Sequence, residues 1–167
     1  DLLRVHPKTL LDNFKALSDA DGGQIGLNIP FTKGGFEMAA LSAGLAKEAI
    51  FSVLKNKNTN AYALSRPPGH HCLPDLPNGF CLLSNIGIAV EAAIAEKLTD
   101  RVAIVDWDVH HGNGTEAVFY NRPDVLTISI HQERCYPIDS GDIRDIGVEG
   151  GEGYNMNIPL PPGGGHK

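Results

Sequence analysis

Cysteine is scarce in this sequence and nowhere paired. Cys72, Cys81 and Cys135 are the only three, and no two stand in a C-x-x-C spacing. An odd count gives no disulfide framework and leaves reduced thiols as the expectation, with Cys72 and Cys81 read as buried and inert. Long apolar runs are missing too, so no membrane-spanning helix is expected. No basic-then-apolar leader opens the chain. Its first residue, Asp1, is not an initiator Met, which points to a start that is cut, processed or incompletely sequenced. The expected location is cytoplasmic. Positive charge is in the minority: 14 Lys and Arg face 20 Asp and Glu, a net charge of −6. That argues against a nucleic-acid partner, which would need a basic stripe, and it suits a cationic ligand. No repeat, linker or low-complexity segment interrupts the 167 residues. They are enough for one domain with a real core.

What the chain does contain is organised around Arg101-Val-Ala-Ile-Val-Asp-Trp-Asp-Val-His-His-Gly-Asn-Gly114. An apolar run bounded by turn residues reads as a buried strand. Side chains alternate along a strand. If the extended backbone persists, Asp106, Asp108 and His110 point one way, and Trp107, Val109 and His111 the other. Carboxylates and an imidazole at the carboxyl end of a strand lie where open α/β sheets bind ligands. Carboxylate oxygen and imidazole nitrogen are donors for a divalent metal such as zinc.

The remaining elements follow in order. Pro7 opens a helix carrying Leu10, Leu11, Phe14 and Leu17 at helical spacing, and His6 before it is read as a local packing or capping residue. Asp21 to Gly35 reads as a loop, and Phe36 to Leu54 as a helix. Lys55 to Asn60 is a polar turn, and Ala61 to Leu64 reads as a short buried strand. Arg66-Pro-Pro-Gly-His-His71 is a rigid turn presenting two adjacent imidazoles. A helix is expected over about 85–98, a strand over 102–106 and a short helix over 115–120. A strand is expected over 125–130 with His131 just past its end, then a long polar loop, then a strand over 154–160. Strands alternating with helices imply a parallel sheet covered on both faces. His70 and His71, Asp108 and His110, and His131 all fall at or just past strand ends.

One metal beside two adjacent histidines suggests metal-assisted hydrolysis. Zinc acidifies water and polarises a carbonyl, and an imidazole titrating near neutrality can take and return the proton. Asp108 and His110 need a further ligand, which leaves His70 and His71 for acid–base work. His111 is read as structural, and His131 as a satisfied core histidine.

Four stretches together resemble the zinc-dependent histone deacetylase family: Arg66 to His71, Gly79-Phe-Cys81, Asp106 to Gly114, and Ile128-Ser-Ile-His131. The resemblance is nearest to its class II branch, bacterial histone deacetylase-like amidohydrolases and acetylpolyamine amidohydrolases. It implies the three-layer arginase/deacetylase fold, a mostly parallel α/β sheet of which residues 1–167 are the N-terminal portion of a single deacetylase domain. It implies zinc held by Asp108 and His110. It gives His71 as the general acid–base, His70 as its electrostatic partner, Asp106 as the carboxylate supporting His70, and Asn113 as the support of His71. Gly79, Phe80 and Tyr136 match the tunnel for the acyl-lysine chain. Asp106, Asp108, His110, Ser129 and Ile130 match a structural potassium site. The family's third zinc ligand and its tyrosine lie later than residue 167. The rim loop, Gly22 to Phe31, has no carboxylate where the family usually carries an Asp, and Asn28 is the nearest substitute.

The implied activity is hydrolysis of acetyl-lysine or acetylpolyamine amides, with those molecules as partners, no nucleic acid or membrane, and no oligomeric state specified. Two alternatives stand beside it. A manganese ureohydrolase would need two metals and more bridging carboxylates, which Asn113 and the single Asp108-x-His110 do not supply. A non-catalytic module binding acylated ligands is disfavoured by the intact His70, His71, Asp108 and His110.

Overall fold

A computed structural model describes residues 1–165. The chain divides into two compact units, Asp1–Asp100 and Arg101–Lys167.

The first unit is helical with one hairpin. A 3-10 turn, Leu2–Arg4, leads to α1 (Lys8–Asp19), whose N-cap is Pro7. The apolar spacing of α1 buries Leu11 and Phe14. The stretch expected to be an irregular loop forms a hairpin, β1 (Gly22–Ile25) paired antiparallel with β2 (Ile29–Thr32). The glycines that suggested a loop serve its turn, where Gly26 and Asn28 both have φ of 56°, a conformation Gly and Asn tolerate best. Ile25 and Ile29 close the register and are buried. The Phe14 ring meets Phe31 at 4.7 Å and Phe36 at 5.2 Å, both edge-on, a favoured aromatic geometry.

Next come α2 (Gly35–Leu54) and α3 (Asn85–Ala95). Both bury small residues, Ala39 and Ala43 on α2 and Ala89, Ala92 and Ala93 on α3. The latter helix ends three residues earlier than its apolar pattern suggests, with Lys97 at a positive φ of 56° just beyond it. Ala61 to Leu64 is not a strand: Tyr62 and Leu64 are 85% and 77% exposed. An apolar run becomes a strand only when a neighbour satisfies its backbone, and the hairpin strands of this unit pair only with each other.

His6 is buried but not local. Its Nδ1 lies 2.7 Å from the Pro74 carbonyl, and its Nε2 accepts the Ser84 N–H at 3.0 Å. It thus joins the N-terminal turn to the loop before α3. Both ring nitrogens are engaged in the neutral tautomer, and burial pushes the ring's pKa below its ordinary value, against the opposing pull of the Pro74 carbonyl.

The second unit is a three-stranded parallel sheet in the order β3-β4-β5: β3 (Val102–Asp106), β4 (Val125–Gln132) and β5 (Asn155–Leu160). The short helix α4 (Asn113–Phe119) connects β3 to β4. Register places Val102 beside Val125, Ile104 beside Thr127 and Asp106 beside Ser129. His131 lies inside β4 and not past its end, because β5 extends the pairing as far as Gln132↔Leu160. One sheet face buries Val125, Thr127, Ser129, His131, Asn155 and Asn157. On the other, Val105, Met156 and Ile158 are exposed.

Candidate functional site

Strand β3 ends at Asp106, and from there the side chains of the motif shape the backbone. The Asp106 carboxylate accepts the Asp108 N–H at 3.0 Å, and the Asp108 carboxylate accepts the His110 N–H at 2.8 Å. Two successive side-chain-to-backbone turns of this kind are what aspartate favours over continued strand. The expected alternation therefore holds only in part. His111 is buried and turned away, as anticipated, but Trp107 and Val109 on its supposed side are 81% and 53% exposed.

The turns bring the two candidate donors together. Asp108 Oδ1 and His110 Nδ1 are 2.9 Å apart, with both side chains roughly half-exposed. Zinc binds carboxylate oxygen and imidazole nitrogen at about 2.0–2.2 Å. Two donors at this spacing can both reach one ion, and their exposure leaves room for further ligands, so the pair fits the metal. Among the described residues, no group of three or more His, Cys, Asp or Glu could hold a metal ion.

The strap from 107 to 112 is pinned along its length. Gln132 N–H donates to the Val109 carbonyl at 2.9 Å, and His111 N–H to the Tyr136 carbonyl at 3.1 Å. Gly112 N–H donates to Ser129 Oγ at 3.2 Å. A Cβ on Gly112 would lie 2.5 Å from an Asp106 carboxylate oxygen, so a side chain there would have to turn that carboxylate aside. The Tyr136 ring stands edge-on to His110 with centroids 6.1 Å apart. Asn113 is the first residue of α4, and Ile130 follows Ser129 along β4 with its side chain on the opposite face.

His131 is a satisfied core histidine: Nδ1 is 3.0 Å from Ser129 Oγ and Nε2 is 3.1 Å from the Gly141 carbonyl. Burial and the neighbouring His111 lower its pKa. His111 is structural as well, with Nδ1 2.9 Å from Ser140 Oγ. Its Nε2 lies 3.3 Å from Glu116 Oε2, off the alignment of a hydrogen bond. Glu116 was not legible as a functional residue. Its only sequence signal is an acid in the first turn of a short helix, which the helix dipole favours anyway.

In the first unit, the His70 and His71 rings lie 4.0 Å apart at 38°. His71 is buried, and its backbone N–H donates to Cys81 Sγ at 3.4 Å. The partner motif explains itself locally. Asn78 and Cys81 exchange two backbone hydrogen bonds around Gly79 and Phe80. Both central residues have positive φ, 52° and 65°, as a type I′ turn requires. Glycine takes this conformation freely. Phenylalanine does not, and a strained non-glycine residue is a pointer to function. The turn holds the Phe80 ring 77% exposed. A Cβ on Gly79 would lie 2.3 Å from His71 Cδ2, so the turn also bears directly on the histidine. Cys72 and Cys81 are both buried, and burial pushes the Cys72 thiol far above its ordinary value, which makes it unreactive.

The family model for the histone deacetylase domain matches residues 1–167. The chain belongs to the histone deacetylase domain family. It is 57% identical over 166 residues to a histone deacetylase-like amidohydrolase of Pseudomonas aeruginosa, covering 99% of this chain and 44% of that protein. It is 43% identical to a probable deacetylase of Archaeoglobus fulgidus, covering 99% of this chain and 45% of the relative. The crystal structure of the HDA15 HD domain superposes with a TM-score of 0.89 at 35% identity, covering 95% of this chain and 45% of the other. The fold is thus the arginase/deacetylase type, and the chain spans a little under half the length of these deacetylase relatives. No helix among the described residues is long and apolar enough to cross a membrane.

Proposed function

We propose that this chain carries part of the active site of a zinc-dependent deacylase acting on acetyl-lysine or acetylpolyamine amides. The observation that carries the reading is the close, half-exposed Asp108–His110 donor pair at the tip of β3 in a chain of the deacetylase family. Asp108 and His110 would hold a zinc ion, which would supply Lewis acidity toward an amide carbonyl and toward water near neutral pH.

The rest is the work of side chains. His71 takes a proton from the attacking water and returns it to the leaving amine. His70 steadies the charge that His71 gains, while Asp106 and Asn113 hold the two rings in the productive tautomers. Phe80 and Tyr136, with Gly79 between Phe80 and His71, sheathe the alkyl chain and leave its cationic end outside. Asp106, Asp108, His110, Ser129 and Ile130 would hold potassium as a structural ion. The third zinc ligand and the carbonyl-polarising tyrosine come from the portion of the family domain that these 167 residues do not span. The protein acts in the cytoplasm.

The test is metal analysis of the complete protein together with hydrolysis of an acetyl-lysine amide and of N-acetylputrescine. One zinc per chain with turnover of either substrate supports the reading. Two manganese ions with urea release would favour the ureohydrolase alternative. Tight acyl-ligand binding without turnover would leave only the binding module.

A further inference from the structure

The second unit contains a buried polar cluster that the proposed chemistry does not use, and it converges on one oxygen. Glu116 Oε2 accepts from Asn155 Nδ2 at 2.6 Å and from Asn157 Nδ2 at 2.8 Å, and faces His111 Nε2 at 3.3 Å. The Glu116 side chain is only 18% exposed and that of His111 only 1%. Burial pushes the Glu116 carboxyl up, but His111, Asn157 and Asn155 outweigh it, and its pKa lies below the ordinary value. The carboxylate is therefore kept charged inside the unit, a costly arrangement unless its partners are held in return.

Those partners lead to the strap. The two asparagines stand two apart on β5, so they share the sheet face that α4 covers. Asn155 also donates to the Asp145 carbonyl and Asn157 to the Asp142 carbonyl, which ties in the long loop after β4. His111 adjoins His110 in the chain. Its ring reaches Ser140 on that same loop, and its N–H holds the Tyr136 carbonyl. One side chain on α4 thus braces the strap from behind, while its front presents Asp108 and His110.

We propose that Glu116 is a positioning residue for the metal pair: through His111 and the Asn155–Asn157 pair it fixes the strap that presents Asp108 and His110, and so sets how tightly that pair holds a divalent cation. The proposal rests on the metal reading of Asp108 and His110. Groups that orient metal ligands without touching the metal typically change affinity roughly 10–100-fold when removed. Glu116→Ala should weaken zinc by that factor. Glu116→Gln, which keeps an oxygen for the two asparagines but loses the charge facing His111, should fall between it and the parent.

The experiment is zinc affinity of the complete protein by chelator competition, at a temperature well below the Tm of every variant. Glu116→Ala and Glu116→Gln are compared with Val125→Ala, a truncation of a fully buried side chain at the start of β4, and with Asp108→Ala. Graded loss of zinc affinity in the two Glu116 variants, with Val125→Ala near the parent at equal or greater loss of Tm, is the expected result. Parent-like affinity in both Glu116 variants would overturn the proposal, as would an equal loss in Val125→Ala. Undiminished zinc in Asp108→Ala would sink the underlying metal reading instead, so the two failures are told apart.

Discussion

His71 is held through its main chain as well as its ring, by the bond to Cys81 Sγ and the close approach of Gly79. Because it is proposed as a proton carrier and not a ligand, His71→Ala in the complete protein should keep its zinc. Turnover should fall by about 10²–10⁴-fold. Zinc by mass spectrometry beside kcat checks both halves, and turnover within a few-fold of the parent would remove His71 from the role. His6 has a different pH signature. Its pKa is lowered by burial, so the unfolded chain binds the proton more readily. The neutral ring's contribution to stability is fully present above the unfolded value of 6.5 and is lost as the pH falls through the folded value. Tm should drop on acidification below about pH 6.5, and the slope should flatten in His6→Gln, which cannot take up that proton. An unchanged slope in the variant would show that other groups dominate. At this scale, residue identity plus motif spacing pointed to two pairs that the fold does hold close, Asp108 with His110 and His70 with His71, and to a buried His111. Glu116 was invisible because its role depends on Asn155 and Asn157, which only the sheet brings to it.

Two turns set the local geometry of the proposed residues, one in each unit. The Asn78–Cys81 turn has a left-handed backbone at Gly79 and Phe80, and there is no room beside His71 for a side chain at Gly79. Gly79→Ala should therefore displace the His71 ring and lower kcat while zinc content stays at parent level. A variant with parent kcat would mean that the turn yields without moving the histidine. The aspartate turns after β3 account for the limits of sequence reading here. Alternation describes a strand, and it stopped applying where Asp106 began to bond its own backbone two residues on. The hairpin was missed for the converse reason. Its glycines and Pro30 looked like loop residues, but Gly26 and Asn28 supply the φ values of a tight connection. Ala61 to Leu64 had the composition of a strand and lacked a partner.

The described residues include the two proposed metal donors and the two proposed acid–base histidines, while the Pseudomonas aeruginosa and Archaeoglobus fulgidus relatives are more than twice as long. Catalytic zinc sites ordinarily use three protein ligands. Residues 1–167 expressed alone should bind zinc weakly and hydrolyse a fluorogenic acetyl-lysine amide poorly or not at all. Stoichiometric zinc with multiple turnovers would mean that a third donor comes from within these residues. The parallel sheet, the β3–α4–β4 crossover and the order of the motifs were legible because strand and helix periods are local. The division into two compact units was not, since it reflects contacts that no pattern along the chain displays. The pairing of Asp106 with Ser129 also bears on how the length of this chain can drift. A strand carries information in its parity: one residue gained or lost within β3 or β4 turns every later side chain of that strand to the other face. Such a change would part Asp106 from Ser129 while leaving the amino-acid composition nearly untouched. The exposed turn from Lys55 to Asn60 has no such parity to keep. Insertions there should accumulate freely between lineages, while the strands on which the donor pair depends keep a fixed count.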